Sequence, residues 1–190
     1  MSAVEPAGVL FGVIAVWLTT RENIWCWPTG LVNVSLYIVV FWQAKLYADM
    51  GLQVVYVVLC LYGWYEWLHG GRDRGTLTVS ATPRPALAAL GAAGVAFAAG
   101  LGLFLSRNTD AALPFWDAGT TSFSLVAQAM QTRKWWENWL LWIAVDVVYV
   151  GIYVVKKLYL TAGLYAVFLA LAVLGLKSWR RSMAAPGEMA

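Results

Sequence analysis

The chain has few charged residues, since Lys, Arg, Asp and Glu make up 12% of its 190 positions. Soluble domains carry roughly 25%, so this composition excludes an ordinary soluble domain. Hydrophobic residues make up 61% of the chain. They lie in runs of about 20 residues, the length that crosses a bilayer. The chain is therefore predicted to be an all-α, multi-pass membrane protein.

Histidine and cysteine are scarce, with only His69, Cys26 and Cys60 in the whole chain. They form no metal-binding or redox spacing, and no Ser-His-Asp or His-Glu-x-x-His pattern occurs. We therefore expect no enzyme, no cofactor and no metal site. A net charge of +3 gives no nucleic-acid signature. The N-terminus lacks the basic region of a signal peptide, so the first span is expected to direct insertion.

Apolar runs predict seven transmembrane helices. Their bounds are near 5–20, 26–44, 47–68, 85–106, 114–131, 136–155 and 159–179. Connections on the N-terminal side hold four Lys and Arg residues, and those on the opposite side hold nine. The positive-inside rule then predicts a plasma (inner) membrane protein with its N-terminus outside and its C-terminus in the cytoplasm.

The first three spans match the last three at an offset of 112 residues. The Trp, Gly, Arg and Lys-Leu-Tyr identities are the informative ones, because Leu and Val match readily in apolar sequence. Identical pairs include Arg21 and Arg133, Trp27 and Trp139, Lys45-Leu46-Tyr47 and Lys157-Leu158-Tyr159, Gly63 and Gly175, and Trp67 and Trp179.

One helix separates the two repeats, so they point the same way through the membrane. This predicts a 3+1+3 arrangement of two parallel three-helix repeats, as in transporters whose substrate site lies between the repeats near the midplane. Helix 4, rich in Ala and Gly, is expected to be a close-packing linker. The predicted divisions are 5–68, first repeat; 69–106, cytoplasmic loop and helix 4; 107–180, second repeat; and 181–190, cytoplasmic tail.

Helix 6 carries an acid in mid-segment, on a face lined with aromatic residues. The face contains Trp135, Trp139, Trp142, Asp146, Tyr149 and Tyr153, at steps of three and four residues. A carboxylate in hydrocarbon indicates a functional site by default, and indole faces attract cationic rings. In the competing interpretation, the tryptophans lie at the membrane interface and the Asp is paired inside the bundle. Interface tryptophans lie at helix ends, however, whereas Trp142 lies well inside the segment.

Other intramembrane polar residues are candidates for the same cavity. Helix 5 carries a stripe of Asp117, Thr121, Ser124, Gln128 and Gln131. Helix 3 contributes Gln53 and Trp64. Asn33 of helix 2 fits a ligand contact and a structural interhelical hydrogen bond equally well. Amides, carboxylates and indoles together suit a small, flat, hydroxylated solute, either neutral or cationic.

Several motifs resemble the PnuC-type vitamin transporters over about residues 7–180. They are PFWD, TRK followed by ENWLLW, KLYADMGLQ and YGWY. The resemblance implies a nicotinamide riboside carrier related in architecture to the SWEET sugar facilitators, with thiamine and riboflavin carriers as close relatives. It implies a homotrimer and facilitated diffusion, with the vitamin trapped inside by phosphorylation.

The resemblance also bears on individual residues. It assigns Trp139 and Trp142 to the tryptophan pair associated with substrate binding, and it implies Asn where this chain has Asp146. An acid there suits any cationic vitamin, thiamine included. A SWEET-like sugar facilitator is disfavoured, because a neutral sugar needs no carboxylate. A scaffold protein would leave buried Asp117 and Gln128 unexplained.

Overall fold

The computed structural model describes residues 4–43, 45, 47–109, 113–155 and 157–184, which form seven α-helices. They are α1 (Val4–Thr20), α2 (Cys26–Gln43), α3 (Tyr47–His69), α4 (Arg84–Asn108), α5 (Pro114–Thr132), α6 (Asn138–Val155) and α7 (Tyr159–Ala184). A 3-10 turn, Arg72–Arg74, lies between α3 and α4. The prediction of seven helices is confirmed, and the bounds differ from those predicted by at most five residues.

Three of these helices, α4, α6 and α7, are long and apolar enough to cross a membrane. A shorter apolar helix covers Pro6–Thr20. Large apolar side chains such as Phe104 and Val147 are exposed on α4 and α6. A soluble protein rarely exposes apolar patches of this extent, whereas in a bilayer such a surface faces lipid.

The sequence repeat recurs in the local backbone. Helices α2 and α6 both contain 18 residues and begin 112 positions apart. The turn before each holds a residue with positive φ, 54° at Glu22 and 50° at Lys134. The turn after each does so again, with φ of 59° at Lys45 and at Lys157. Equivalent segments of the two repeats therefore adopt the same local conformation.

The Cα positions group the chain into two compact units. One contains α1 to α3 and the connection as far as Val79, together with Thr132–Lys134 and α7 from Leu174 onward. The other contains Ser80–Gln131 and Trp135–Val173. These units are defined by proximity, whereas the predicted repeats are defined by sequence, and the division into repeats stays a prediction.

In the first unit, α2 packs against both α1 and α3. The Asn33 amide donates a hydrogen bond to the Gly8 carbonyl oxygen at 2.7 Å. Trp27 lies against Gly63, where a Cβ atom would overlap its indole ring. Small residues on α1 and α3 thus allow α2 to approach closely, as is typical of helices packed in membranes.

In the second unit, α4 packs closely on α5. The Ser122 hydroxyl donates a hydrogen bond to the Gly94 carbonyl oxygen at 2.7 Å. A Cβ atom on Gly94 would lie 3.2 Å from Val126 and 3.4 Å from Phe123. The close packing expected of helix 4 is therefore observed, and its partner is the first helix of the second repeat.

Candidate functional site

Helix α5 turns the predicted polar face towards the interior of its unit. Ser124 and Gln128 on this face are buried, and Gln128 is 9% exposed. Asp117 lies in the first turn of α5, where the helix dipole favours a negative charge. The stripe therefore places one acid at the start of the helix and an amide three turns further along.

Helix α6 brings the aromatic and acidic residues to a neighbouring face. Trp139 is 1% exposed and Asp146 is 5% exposed, and Trp142 between them is half-buried. The Trp142 Nε1–H donates a hydrogen bond to Gln131 Oε1 at 3.3 Å. This bond joins the aromatic face of α6 to the polar face of α5, so the two predicted stripes meet in one place.

Asp146 has surroundings that suit a ligand. Among the residues whose side chains the structure describes, none hydrogen-bonds the Asp146 carboxyl. A buried carboxylate without a partner costs free energy, and in a membrane segment it indicates a ligand or water as the partner. The alternative that Asp146 is paired within the bundle has no support among these residues.

Three tyrosines extend the aromatic surface beyond Asp146. Tyr149 and Tyr153 of α6 stack with ring centroids 5.9 Å apart, and Tyr165 of α7 lies 4.6 Å and 5.3 Å from them. The hydrogen bond between Trp142 and Gln131 joins α6 to α5. Helices α5, α6 and α7 are therefore linked by polar and aromatic contacts on the side that carries Asp146.

The candidate residues of the first repeat lie in the other unit. The Asn33 amide already donates a hydrogen bond to the Gly8 carbonyl oxygen, which favours the structural interpretation of Asn33. Gln53 and Trp64 are half-buried on α3. They are eleven residues apart, about three helical turns, and so lie on the same face of that helix.

The chemically distinctive residues stand where the two repeats differ. At the offset of 112 residues, the pairs are Val16 and Gln128, Thr19 and Gln131, Gly30 and Trp142, and Val34 and Asp146. In each of these pairs, the amide, indole or carboxylate is in the second repeat. The reverse holds at Asn33 and Val145 and at Trp64 and Leu176, so α5 and α6 carry these four candidate residues while α2 and α3 carry others.

Sequence reasoning missed three interactions near the helix ends. The Asn138 amide donates a hydrogen bond to the Trp135 carbonyl oxygen, Lys134 forms an ion pair with Glu22, and Glu137 binds Thr82. The only indication of these interactions in the sequence is the cluster of polar residues in the segment TRKWWEN. The partners of Lys134 and Glu137 lie 112 and 55 positions away, so local spacing does not identify them.

Comparison with protein families finds one match over nearly the whole chain. The sequence model described as "Nicotinamide mononucleotide transporter" matches residues 2–181. A crystal structure of the vitamin B3 transporter PnuC has a similar fold, with a TM-score of 0.74 over 95% of this chain and 82% of that one. The two sequences are 24% identical, so this likeness concerns the fold.

Curated relatives are transporters by name. The nicotinamide riboside transporter PnuC of Escherichia coli (strain K12) is 29% identical over 100% of this chain and 90% of the relative. The riboflavin/roseoflavin transporter RibM of Streptomyces davaonensis is 29% identical over 92% of this chain and 83% of the relative. A sequence of this length and apolar composition with such relatives is a multi-pass inner-membrane protein.

Proposed function

Because the chain belongs to the nicotinamide mononucleotide transporter family, we propose that it carries nicotinamide riboside across the inner membrane. The observation that carries this proposal is the joint face of α5 and α6. There Trp142 is hydrogen-bonded to Gln131, and the carboxyl of Asp146 is buried without a partner among the described residues. The names of the relatives support the same substrate.

Each site residue has a role that its chemistry suits. Trp139 and Trp142 offer indole faces to the cationic pyridine ring, an attraction of roughly 1–2 kcal/mol when water is excluded. Gln128 and Asp117 accept hydrogen bonds from the ribose hydroxyls, and Gln128 also donates them. Asp146 offers the ligand a hydrogen-bond acceptor, a role that an amide at this position would also fill. Gln53, Asn33 and Trp64 are proposed contacts contributed by the first repeat.

The proposed architecture is the 3+1+3 arrangement of two parallel repeats. Its support is a set of contacts between equivalent positions, as a two-fold axis along the membrane normal would give. Lys134 Nζ lies 3.2 Å from the carboxylate of Glu22, and these residues are 112 positions apart. Trp67 and Trp179, also 112 positions apart, have ring centroids 5.8 Å apart.

The proposed mechanism is facilitated diffusion by movement of one repeat against the other. The Glu22–Lys134 pair is mostly buried, and the ammonium also lies 4.4 Å from the Trp67 ring. These contacts close one end of the first unit, and we propose that they break and re-form in each transport cycle. Phosphorylation of the vitamin inside the cell then traps it.

Three finer proposals accompany this mechanism. The N-terminus is outside and the C-terminus is cytoplasmic, supported by four against nine Lys and Arg residues on the two sides. The protein assembles as a homotrimer. It acts as a carrier and not as an enzyme, in keeping with the names of its relatives. Labelling of single introduced cysteines in intact cells tests the orientation, and native mass spectrometry tests the trimer.

Uptake into proteoliposomes tests the function. Purified protein should catalyse uptake of labelled nicotinamide riboside until the inside and outside concentrations are equal, with no effect of an ionophore. A nicotinamide riboside kinase and ATP enclosed in the vesicles should then raise accumulation well above that level. Equilibration that requires an ion gradient would refute facilitated diffusion, and the absence of any uptake would refute the proposed substrate.

A second candidate function is riboflavin or thiamine uptake. The similarity to a riboflavin/roseoflavin transporter favours riboflavin, and the acid at Asp146 favours the cationic thiamine. Competition by both vitamins and by glucose in the uptake assay separates these candidates. The SWEET-like sugar facilitator predicts competition by glucose alone.

A further inference from the structure

The connection between α3 and α4 is bound to the start of α6 through Glu137. The Glu137 carboxylate accepts a hydrogen bond from the Thr82 hydroxyl at 2.7 Å. It also accepts the Thr82 backbone N–H, which lies 3.2 Å from Oε1 and 3.0 Å from Oε2. Thr82 is 8% exposed. Hydrogen bonds to a carboxylate are stronger than neutral ones, so this is a firm attachment.

The neighbouring backbone strengthens the attachment. The Trp136 N–H donates a hydrogen bond to the Ser80 carbonyl oxygen at 3.1 Å. Ser80 and Trp135 form an isolated parallel β-bridge. Residues 80–82 therefore run alongside residues 135–137, and we refer to these two short segments as the Thr82–Glu137 clamp.

The clamp lies directly before the helix that carries the proposed site. Helix α6 begins at Asn138, and Trp139 is in its first turn. Trp142 lies five residues after Glu137, about 7–8 Å along the helix axis. Its hydrogen bond to Gln131 is 3.3 Å long, so a small tilt of the first turn is enough to break it. The orientation of Trp142 therefore depends on how the start of α6 is held.

Among its described residues, the first repeat has no such clamp. The position equivalent to Glu137 is Trp25, which is 65% exposed. Thr82 lies in the segment between the repeats and has no equivalent at all. Within the part of the chain that the structure describes, the clamp thus appears only beside α6, the helix that also carries Trp142 and Asp146.

We propose that Glu137 is a positioning residue for the substrate site, acting through Thr82 to fix the start of α6 and hence Trp142. The proposal rests on the proposed function, since it assigns Trp142 to substrate binding. Residues 80–82 then do more than connect α3 to α4, because they fix the position of the helix that is proposed to bind the substrate.

Matched variants at Thr82 test the clamp. Thr82→Val keeps the shape and removes the hydroxyl, whereas Thr82→Ser keeps the hydroxyl. Thr29→Val is a control in the first repeat, since the Thr29 hydroxyl donates to the backbone carbonyls of Trp25 and Cys26, at the start of α2. In titrations with nicotinamide riboside, Thr82→Val and Glu137→Gln should raise Kd about tenfold, while Thr82→Ser and Thr29→Val should bind as the parent protein does.

Amide hydrogen exchange without substrate gives an independent readout. Exchange at 138–142 should become faster in Thr82→Val, with no change at 26–30 in the equivalent helix. Unchanged exchange at 138–142, or unchanged Kd with a responsive parent protein, would overturn the proposal. So would a fall in thermal stability that fully accounts for the lost binding. If the parent protein binds no nicotinamide riboside, the proposed function fails, and the exchange result still decides whether the clamp fixes α6.

Discussion

At the scale of single residues, two acids on neighbouring helices differ in their surroundings. Asp117 lies in the first turn of α5, where unpaired backbone N–H groups and the helix dipole stabilise a negative charge. Asp146 lies in the middle of α6, buried, and no described group hydrogen-bonds it. The first acid therefore suits the fold, and the second is tolerated at a cost that function explains.

The substitution Asp146→Asn should stabilise the protein and preserve nicotinamide riboside binding. It replaces a buried carboxyl, which has no partner among the described residues, by an amide of the same shape. Such a change contributes about 1–3 kcal/mol to the free energy of unfolding. The amide keeps one acceptor and adds a donor for the ligand. We expect a higher melting temperature in detergent and a Kd within about threefold of the parent value, since 1.4 kcal/mol corresponds to tenfold.

Asp117→Asn is the matched control, because the same chemical change at a helix N-terminus should lower the melting temperature. A loss of binding in Asp146→Asn would contradict the expectation and make the carboxylate the counter-charge of a ring cation. Thiamine binding that depends on Asp146 would then move the protein to the thiamine branch.

The sequence predicted which residues share a face of α5 and of α6, because helical spacing is a local property. It predicted that Gln131 and Trp142 lie on polar and aromatic faces, and the structure joins them. It left Asn33 undecided, since the partner of that amide is Gly8, 25 positions away. Partners distant in the chain are set by tertiary packing, which spacing does not reveal.

At the scale of helices, the start of α6 shows the limit of boundary prediction. The apolar pattern predicts a start at 136, whereas α6 begins at Asn138. The residues before it are held outside the helix by the bridge between Trp135 and Ser80. A contact 55 positions apart, such as that between Thr82 and Glu137, competes with local helix formation and cannot be inferred from composition.

Helix α4 offers a test of close packing with two glycines one turn apart. Gly94→Val should weaken the fold by about 1–3 kcal/mol, because the added methyl groups must displace Val126 and Phe123 and separate Ser122 from the Gly94 carbonyl. Gly91→Val should have little effect, since no atom lies within 4 Å of an added Cβ there. Thermal unfolding of the two variants in the same detergent measures the difference. Equal melting temperatures would show that α4 does not depend on this approach to α5.

At the scale of the whole molecule, transport requires that one end of the protein open and close. The ion pair of Glu22 and Lys134 is a candidate closure, because the Lys134 side chain is 8% exposed and the Glu22 side chain 22%. Removing one partner of a buried ion pair leaves an unpaired buried charge, whereas swapping the two residues keeps opposite charges in contact. The pair therefore allows a charge-exchange experiment with an internal control.

Glu22→Lys and Lys134→Glu should each abolish uptake and expose Cys26, which is buried and close to Lys134. Each single change places like charges together, so the contact at this end should open. The double exchange restores opposite charges and should recover uptake and protection of Cys26 from a maleimide, with a coupling energy of about 0.5–3 kcal/mol. Peptide mapping distinguishes Cys26 from Cys60.

If the two single variants transport normally, the pair only supports the fold. If the double variant remains as reactive as the singles, the two turns are held by their shapes and not by their charges, and closure must reside in the Trp67–Trp179 contact.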